Sequence, residues 1–376
     1  MDVAKRALHE TEHGGCVGII CSTISRAQEL FGYVSEATDD TVLLHSRFTT
    51  DRRMVREAEL VDKLGRSGGN RPHRLIVVST QVIEQGLDLD FDLLISDIAP
   101  MDLLLQRIGR LHRHEHLQAL RPENLKNPKL LITGAGVPDP TGPAPKFPKG
   151  IAAVYRQAPL LRTTAVLAEH LPEHQGCIVS PDDVESLVKA SYDPLFPCPD
   201  TWKAKWDNAA EKDREFTQSQ QERSREFVIS PPSEGSLRRW SLALSPADEQ
   251  KGAAQVRDAD EAIEVILVRQ VDGHTEAMPW LTELSGIAVD EVLPPPWDIA
   301  RVLSQCTVRL PSWQVSDDDI EELEAHTPPS WQDSSWLKGQ LAMVLDENLQ
   351  LTLGPNTFTY DDERGLLITR EERKNA

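Results

Sequence analysis

Residues 74–97 read RLIVVSTQVIEQGLDLDFDLLISD. Two apolar runs, Arg74–Ser79 and Asp92–Ser96, flank a polar loop that carries Gly86. Neither run alternates apolar with polar residues, so each predicts a strand buried on both faces, as in a parallel sheet. Similar runs lie outward on both sides: Val17–Cys21 (VGIIC), Thr41–His45 (TVLLH) and Lys129–Thr133 (KLLIT). Amphipathic segments at Ser25–Ser35, Asp51–Gly65 and Met101–Arg113 fall between them and predict helices. Ser25 and Asp51 are suitable N-caps and Gly65 a suitable stop. Strands alternating with helices make an α/β fold, a parallel sheet flanked by helices. Such sheets bind ligands beyond the carboxyl ends of their strands, which selects loops 22–25, 45–51, 79–88 and 97–101.

The 376 residues carry 40 Lys+Arg against 60 Asp+Glu, a net charge of −20. Taken whole, that figure argues against a protein that grips phosphate backbones. Residues 1–133 hold 17 basic and 19 acidic side chains, a net of −2, which leaves −18 for the remainder. The acidity therefore belongs to the second part, as do all eight Trp. Between the parts lies GAGVPDPTGPAPKFPKG (134–150), whose five Pro prevent a ladder or a helix and predict a semi-extended linker. Residues 151–250 read as a helical linker region, with the stretch 201–227 either a solvated helix or a mobile segment. Residues 251–376 read as a small, mostly β C-terminal domain with turns at Asp272-Gly273 and Gly354-Pro355-Asn356. Most of the Trp are expected in its core and its contacts with the sheet domain. Five Cys without a C-x-x-C pair fit a reducing cytoplasm, and no run of about 18 apolar residues predicts a membrane span.

Two segments carry chemistry. In Val78–Asp92, Ser79 and Thr80 at a strand's end can donate hydrogen bonds to a phosphate backbone. Gly86 lets the chain approach a ligand, and the Asp88 carboxylate suits ribose hydroxyls. Alone, this segment also reads as a connecting loop with a capped turn. The second is Gln106–Arg113, QRIGRLHR. On a helix, Arg107 and Arg110 share a side, as do Arg110 and Arg113. Such a cluster calls for an anion, of which a triphosphate is one. The plainer alternative is a solvated basic face paired to Asp97 or Asp102.

Together and about 20 residues apart, the segments resemble motifs V and VI of the superfamily 2 helicases: TQVIEQGLD for T-x-x-x-x-x-G-x-D and QRIGRLHR for [HQ]-R-x-G-R-x-x-R. The first part then looks like the second RecA-like domain, with IICSTISRAQEL (19–30) in the place of motif IV. With LLHSRFTTDRR (43–53), the chain resembles more narrowly the CRISPR-associated helicase–nuclease of type I systems. The resemblance is strong over 17–133 and only architectural beyond 151. It implies that Arg110, Arg113 and Gln106 belong to ATP turnover, the two arginines at the γ-phosphate. It implies a nucleotide contact for Gly86, Asp88 and Arg107, Arg107 and Gln106 coupling nucleotide state to the helix. Ser79, Thr80, Thr23, Arg47 and Arg52 would meet single-stranded DNA. The implied cofactor is ATP with Mg²⁺, and the implied partners are a nuclease domain, a first RecA-like domain and an RNA-guided CRISPR surveillance complex.

No Gly-Lys dipeptide occurs, so the sequence has no P-loop, and no His-Asp dipeptide marks a nuclease metal site. Asp260-Glu261-Ala262 reads as a solvated turn and not as a Mg²⁺ site. HRHEH (112–116) could place His112 and His116 one helical turn apart for a metal, but reads as the tail of the arginine motif; no metal ligand set is assigned. The chain is therefore expected to be the C-terminal portion of a longer enzyme, inactive alone. Two alternatives stand beside that reading: another superfamily 2 helicase acting on RNA or in DNA repair, and a stand-alone interaction module.

Overall fold

The computed structural model describes residues 3–84, 86–226, 262–281, 284, 289 and 292–370. The chain divides into two compact units, Met1–Gly134 with Glu261–Ala376, and Ala135–Asp260. The terminal region thus clusters with the sheet domain, although the linker separates them in sequence.

In the first unit, β1 (Gly15–Ile20), β2 (Thr41–Leu44), β3 (Arg74–Ser79), β4 (Leu93–Asp97) and β5 (Lys129–Thr133) form one parallel sheet in the order β2-β3-β1-β4-β5. Val17, Ile19, Ile76 and Val78 pack on one face with Ala27, Leu30 and Val34 of α2 (Ile24–Ser35), following α1 (Val3–Glu10). Cys16, Ile20, Leu75 and Val77 pack on the other with Leu60 and Leu64 of α3 (Thr50–Leu64). Both faces are buried, which is why these strands read as continuous apolar runs. The connection from β3 to β4 steps across β1: it starts at the carboxyl ends of the strands, where such folds place their ligands and where Gln81 Nε2 donates to Ser22 O at 3.1 Å, and returns to the amino end, where the Asp92 amide donates to Cys16 O at 2.8 Å.

The helix boundaries differ from expectation in three places. Thr23, not Ser25, caps α2, its hydroxyl accepting from the Arg26 amide at 3.4 Å. Thr49 precedes α3, and Asp51 sits in its first turn, where its carboxylate accepts from Trp280 Nε1 at 2.9 Å. Gly65 does close α3. Helix α4 runs from Met101 only to Ile108, not to Arg113. Past Gly109 the chain is captured by the segment leading into β4: Phe91 N–H donates to Arg110 O at 2.9 Å and His112 N–H to Phe91 O at 3.1 Å. Those bonds replace the next helical turn.

The second unit is helical where described: α5 (Lys149–Tyr155), α6 (Gln157–Glu173), α7 (Val184–Tyr192) and α8 (Lys203–Glu226). Helix α8 resolves the choice over 201–227 in favour of a solvated helix up to Glu226. It is anchored at its start by Trp202, which is buried against Ala158, Leu161 and Ala165.

In the terminal region, β6 (Ala262–Val271) pairs antiparallel with β7 (His274–Glu276) and β8 (Thr307–Pro311) and parallel with β9 (Leu341–Leu345). Asp272 and Gly273, both at positive φ, make the expected two-residue hairpin turn. β10 (Gln350–Leu353), β11 (Asn356–Asp361) and β12 (Gly365–Arg370) form a meander, and α9 (Trp297–Ser304) and α10 (Asp317–His326) cover the core. Trp331 is fully buried there, but Trp297, Trp313 and Trp336 are exposed, against the expectation of core tryptophans. Trp240 and the Asp260-Glu261 pair lie outside the described residues.

The tip of the β11–β12 hairpin seats on the loop after β2. Leu366 N–H donates to Arg47 O at 2.9 Å, and Gln28 Nε2 donates to Arg364 O at 2.8 Å. His45 Nε2 lies 3.0 Å from Arg364 O, while His45 Nδ1 accepts from the Arg47 amide at 3.1 Å. A carbonyl can only accept, so the His45 proton sits on Nε2. Gly365 has φ +70°, and a Cβ there would meet Arg47 O at 2.8 Å. Only glycine permits both the turn and that approach.

Candidate nucleotide site

Arg107 is the pivot of the site. It leaves α4 into the interior with no exposed surface. Its Nε and Nη2 reach Glu84 Oε1 at 2.9 and 2.5 Å, and its Nη1 reaches Ser96 Oγ at 2.6 Å and Asp97 O at 2.9 Å. A guanidinium stripped of water needs a charged partner and filled donors, and Glu84 with the end of β4 supplies both. Arg107 thereby bolts the loop after β3 to α4. Its guanidinium is fully buried in these contacts.

That bolt sets the neighbouring groups. Arg110 donates from Nη2 to Glu84 O at 2.9 Å, and its Nε is buried with no hydrogen-bond partner among the described residues. Arg113 pairs through Nε with Asp88 Oδ1 at 2.5 Å and donates from Nη1 to Gly109 O at 3.0 Å. Burial first, then the adjacent Arg113, hold the Arg110 guanidinium below its usual range, and Asp88 opposes them. Arg113 thus holds the half-exposed Asp88 carboxylate, while Arg110 has a neutral carbonyl as its partner and feels the Asp88 charge only at a distance. Such an arrangement is short of negative charge and suited to an added anion. The expected helical register of Arg110 and Arg113 is absent, because both lie past Gly109, yet the turn still brings them together beside Asp88. Gly86, at φ +78° with open space where a Cβ would stand, gives the loop its left-handed turn. Gln106 is exposed on α4.

The proposed strand contacts are placed less favourably. Ser79 is fully buried and donates to Leu44 O at 2.7 Å, and Thr80 is buried beside it. Thr23 is partly exposed and serves as the α2 cap. Arg47 is buried under the terminal region, its Nη2 donating to Gln314 Oε1 at 3.0 Å. Arg52 pairs through Nε with Asp362 Oδ1 at 3.0 Å and lies 5.2 Å from the Trp280 ring centroid. Both arginines are thus turned to the terminal region in this arrangement, not offered to a strand.

Sequence reasoning missed a second ionic cage under the loop. Arg71 Nη2 lies 2.8 Å from Asp92 Oδ1 and 3.3 Å from Asp90 Oδ1, and Arg121 pairs with the same two carboxylates. Asp92 also accepts from the Cys16 amide at 2.7 Å. Asp88, Asp90 and Asp92 alternate along one extended segment, and that spacing was the available signal. The HRHEH stretch is not helical as a metal pair would need. His112 Nε2 faces Asp92 O at 3.1 Å, His114 Nε2 faces Asp88 Oδ1 at 3.3 Å, and His116 Nε2 faces Arg66 O at 2.8 Å.

Comparison with known proteins agrees with this architecture. The family described as CRISPR-associated nuclease/helicase Cas3, C-terminal, matches residues 13–116, and the Cas3 C-terminal domain family matches residues 257–366. A CRISPR-associated nuclease/helicase Cas3 from Streptococcus thermophilus is 33% identical over 397 residues, covering 100% of this chain and 40% of that relative. The crystal structure of T. fusca Cas3-ATP aligns with TM-score 0.76 and 28% identity over 97% of this chain and 40% of its own. A structure titled CRISPR RNA-guided surveillance complex, pre-nicking, contains a chain that aligns with TM-score 0.69 and 28% identity, covering 93% of this chain and 40% of that one. The chain thus spans about 40% of the length of these relatives. With Cas3 family models matching residues 13–116 and 257–366, and the Streptococcus thermophilus relative matched along the whole of this chain, the chain belongs to the Cas3 family of CRISPR-associated nuclease/helicases, as a C-terminal helicase portion of it.

Proposed function

We propose that this chain supplies the arginine-bearing half of the ATP site, and part of the DNA path, of a single-strand DNA translocase and nuclease. That enzyme unwinds and degrades invader DNA in the cytoplasm after recruitment by an RNA-guided surveillance complex. What carries the reading is the convergence of Arg113 on Asp88 and of Arg110 on the Glu84 carbonyl, with the buried Arg110 Nε lacking a hydrogen-bond partner among the described residues. The T. fusca relative solved with ATP supports the nucleotide, and the relative in a surveillance complex supports the partner.

In this scheme the ATP phosphates lie between this domain and a first RecA-like domain, whose residues hold Mg²⁺ and the β- and γ-phosphates. Asp88 accepts hydrogen bonds from the ribose, and Arg110 and Arg113 turn to the γ-phosphate, Arg113 loosening its pair with Asp88. Arginines so placed accelerate phosphoryl transfer by about 10³–10⁵-fold. Arg107 and Glu84 hold the two loops as one body, so that charge at the phosphates moves Thr80 and Thr23 together along the strand. Arg47 and Arg52 couple that strand loop to the terminal region. The chain alone has half a site and does not turn over ATP. Incubating the isolated chain with ATP and single-stranded DNA tests this: no DNA-stimulated phosphate release is expected, and sustained release would overturn the proposal.

A further inference from the structure

We propose that His170, His174 and Asp183, in the helical unit, form a binding site for a divalent transition metal, Zn²⁺ foremost, that fixes the loop between α6 and α7. His170 and His174 stand one turn apart at the end of α6, and Asp183 precedes α7. One ligand atom from each of the three lies within 4.8 Å of the others. Among the described residues this is the group of His, Cys, Asp or Glu side chains so gathered.

Three features point to a metal and not to a hydrogen-bonded cluster. First, His170 Nε2 is buried without a hydrogen-bond partner among the described residues, although Asp183 Oδ2 is 3.5 Å away. That separation is too long for a good hydrogen bond. It is close to the edge of a tetrahedron around Zn²⁺, about 3.3 Å for bonds of ~2.0–2.1 Å. Second, Asp183 stands at the N-cap of α7 yet makes no side-chain cap bond to it. Its carboxylate is turned back toward His170 and held there by the Val179 amide, which donates to Oδ2 at 2.6 Å. An N-cap aspartate diverted from its helix gives up about 1 kcal/mol and needs another partner. Third, His174 Nδ1 lies 2.9 Å from His170 O, which places its proton on Nδ1 and leaves the Nε2 lone pair free. A ligand histidine held by a backbone carbonyl through its other nitrogen is the usual outer-shell arrangement at such sites. The two imidazoles stack at 3.9 Å with an interplanar angle of 12°, so a shared ion would require one ring to tilt. Two imidazoles and a carboxylate, with solvent in a fourth position, suit Zn²⁺ better than Mg²⁺ or Ca²⁺.

The test uses the untagged 376-residue chain, stripped with a chelator and titrated with Zn²⁺ against a chromophoric competitor. One tight Zn²⁺ per chain is expected. His170→Ala and His174→Ala should weaken it by about 100-fold or more, and the near-isosteric Asp183→Asn by about 10-fold or more. His116→Ala should leave it unchanged. If an alanine variant fails to fold, Asp183→Asn and the Co²⁺ absorption of the wild-type chain decide, a tetrahedral visible band being expected. Failure of the wild-type chain to bind Zn²⁺ at micromolar concentration, or binding that survives the His170 and Asp183 substitutions, would overturn the proposal. Neither result bears on the ATP site.

Discussion

Replacing Glu84 by Gln keeps the side chain's size and one oxygen, but strands a guanidinium that has no exposed surface. Arg107 then keeps Ser96 Oγ at 2.6 Å and Asp97 O at 2.9 Å, both neutral acceptors. Breaking a buried pair by removing one charge costs about 3–5 kcal/mol. These surviving acceptors hold the expectation near the lower figure. In a unit of this size, about 2–4 °C is lost per kcal/mol, so the melting temperature of the first unit should fall by roughly 6–12 °C. Scanning calorimetry of the whole chain would read it as a shift of one transition. The paired variant Glu84→Leu with Arg107→Met removes both charges and should recover most of the loss. A drop below about 2 °C for Glu84→Gln, or no recovery in the pair, would refute the role given to this bolt.

The hairpin seat makes two further predictions. Burial, together with the neighbouring Arg47 and Arg56, pushes the His45 imidazole down to about 3, against bonds to Arg364 O that raise it. The folded chain therefore refuses a proton that the unfolded chain accepts below pH ~6.5, and His45 stabilises fully only above that value. Stability should fall on the order of 1 kcal/mol per pH unit between pH 6.5 and 3 through this group, and His45→Gln should flatten the slope by one proton. An unchanged slope in the variant would contradict the assignment. Gly365→Ala forces a Cβ to within 2.8 Å of Arg47 O at φ +70° and should cost about 1–3 kcal/mol. Urea unfolding followed by tryptophan fluorescence would show it, and wild-type stability would count against the seat.

The sheet was legible because its strands are buried on both faces. Arg74–Ser79 and Lys129–Thr133 begin and end where their apolar runs do. Parallel topology selected the loop 79–88, but Arg110 and Arg113 lie past the end of α4, outside the loops that the strand ends single out. Hydrophobic periodicity was blind where a non-local bond outcompetes a local one. Arg110 and Arg113 continue a helical pattern in sequence, yet the Phe91 backbone takes the chain after Gly109. β11 (NTFTYD) carries the alternation of a strand buried on one face, its Phe358 and Tyr360 facing the core and its Thr357 and Thr359 partly exposed. The seat of Arg364 on His45 joins residues 319 apart, and nothing in either stretch announces the other. The same holds for Arg71 and Arg121 under Asp90 and Asp92. His170 and His174 carry visible ligand spacing, but their carboxylate arrives through a loop whose path only the structure provides.

The central claim, that Arg110 completes an ATP site from this side, is tested most directly by Arg110→Ala in the full-length protein. DNA-stimulated ATP turnover should fall by about 10³-fold or more, while binding of single-stranded DNA is retained. Turnover at the wild-type rate would contradict the account.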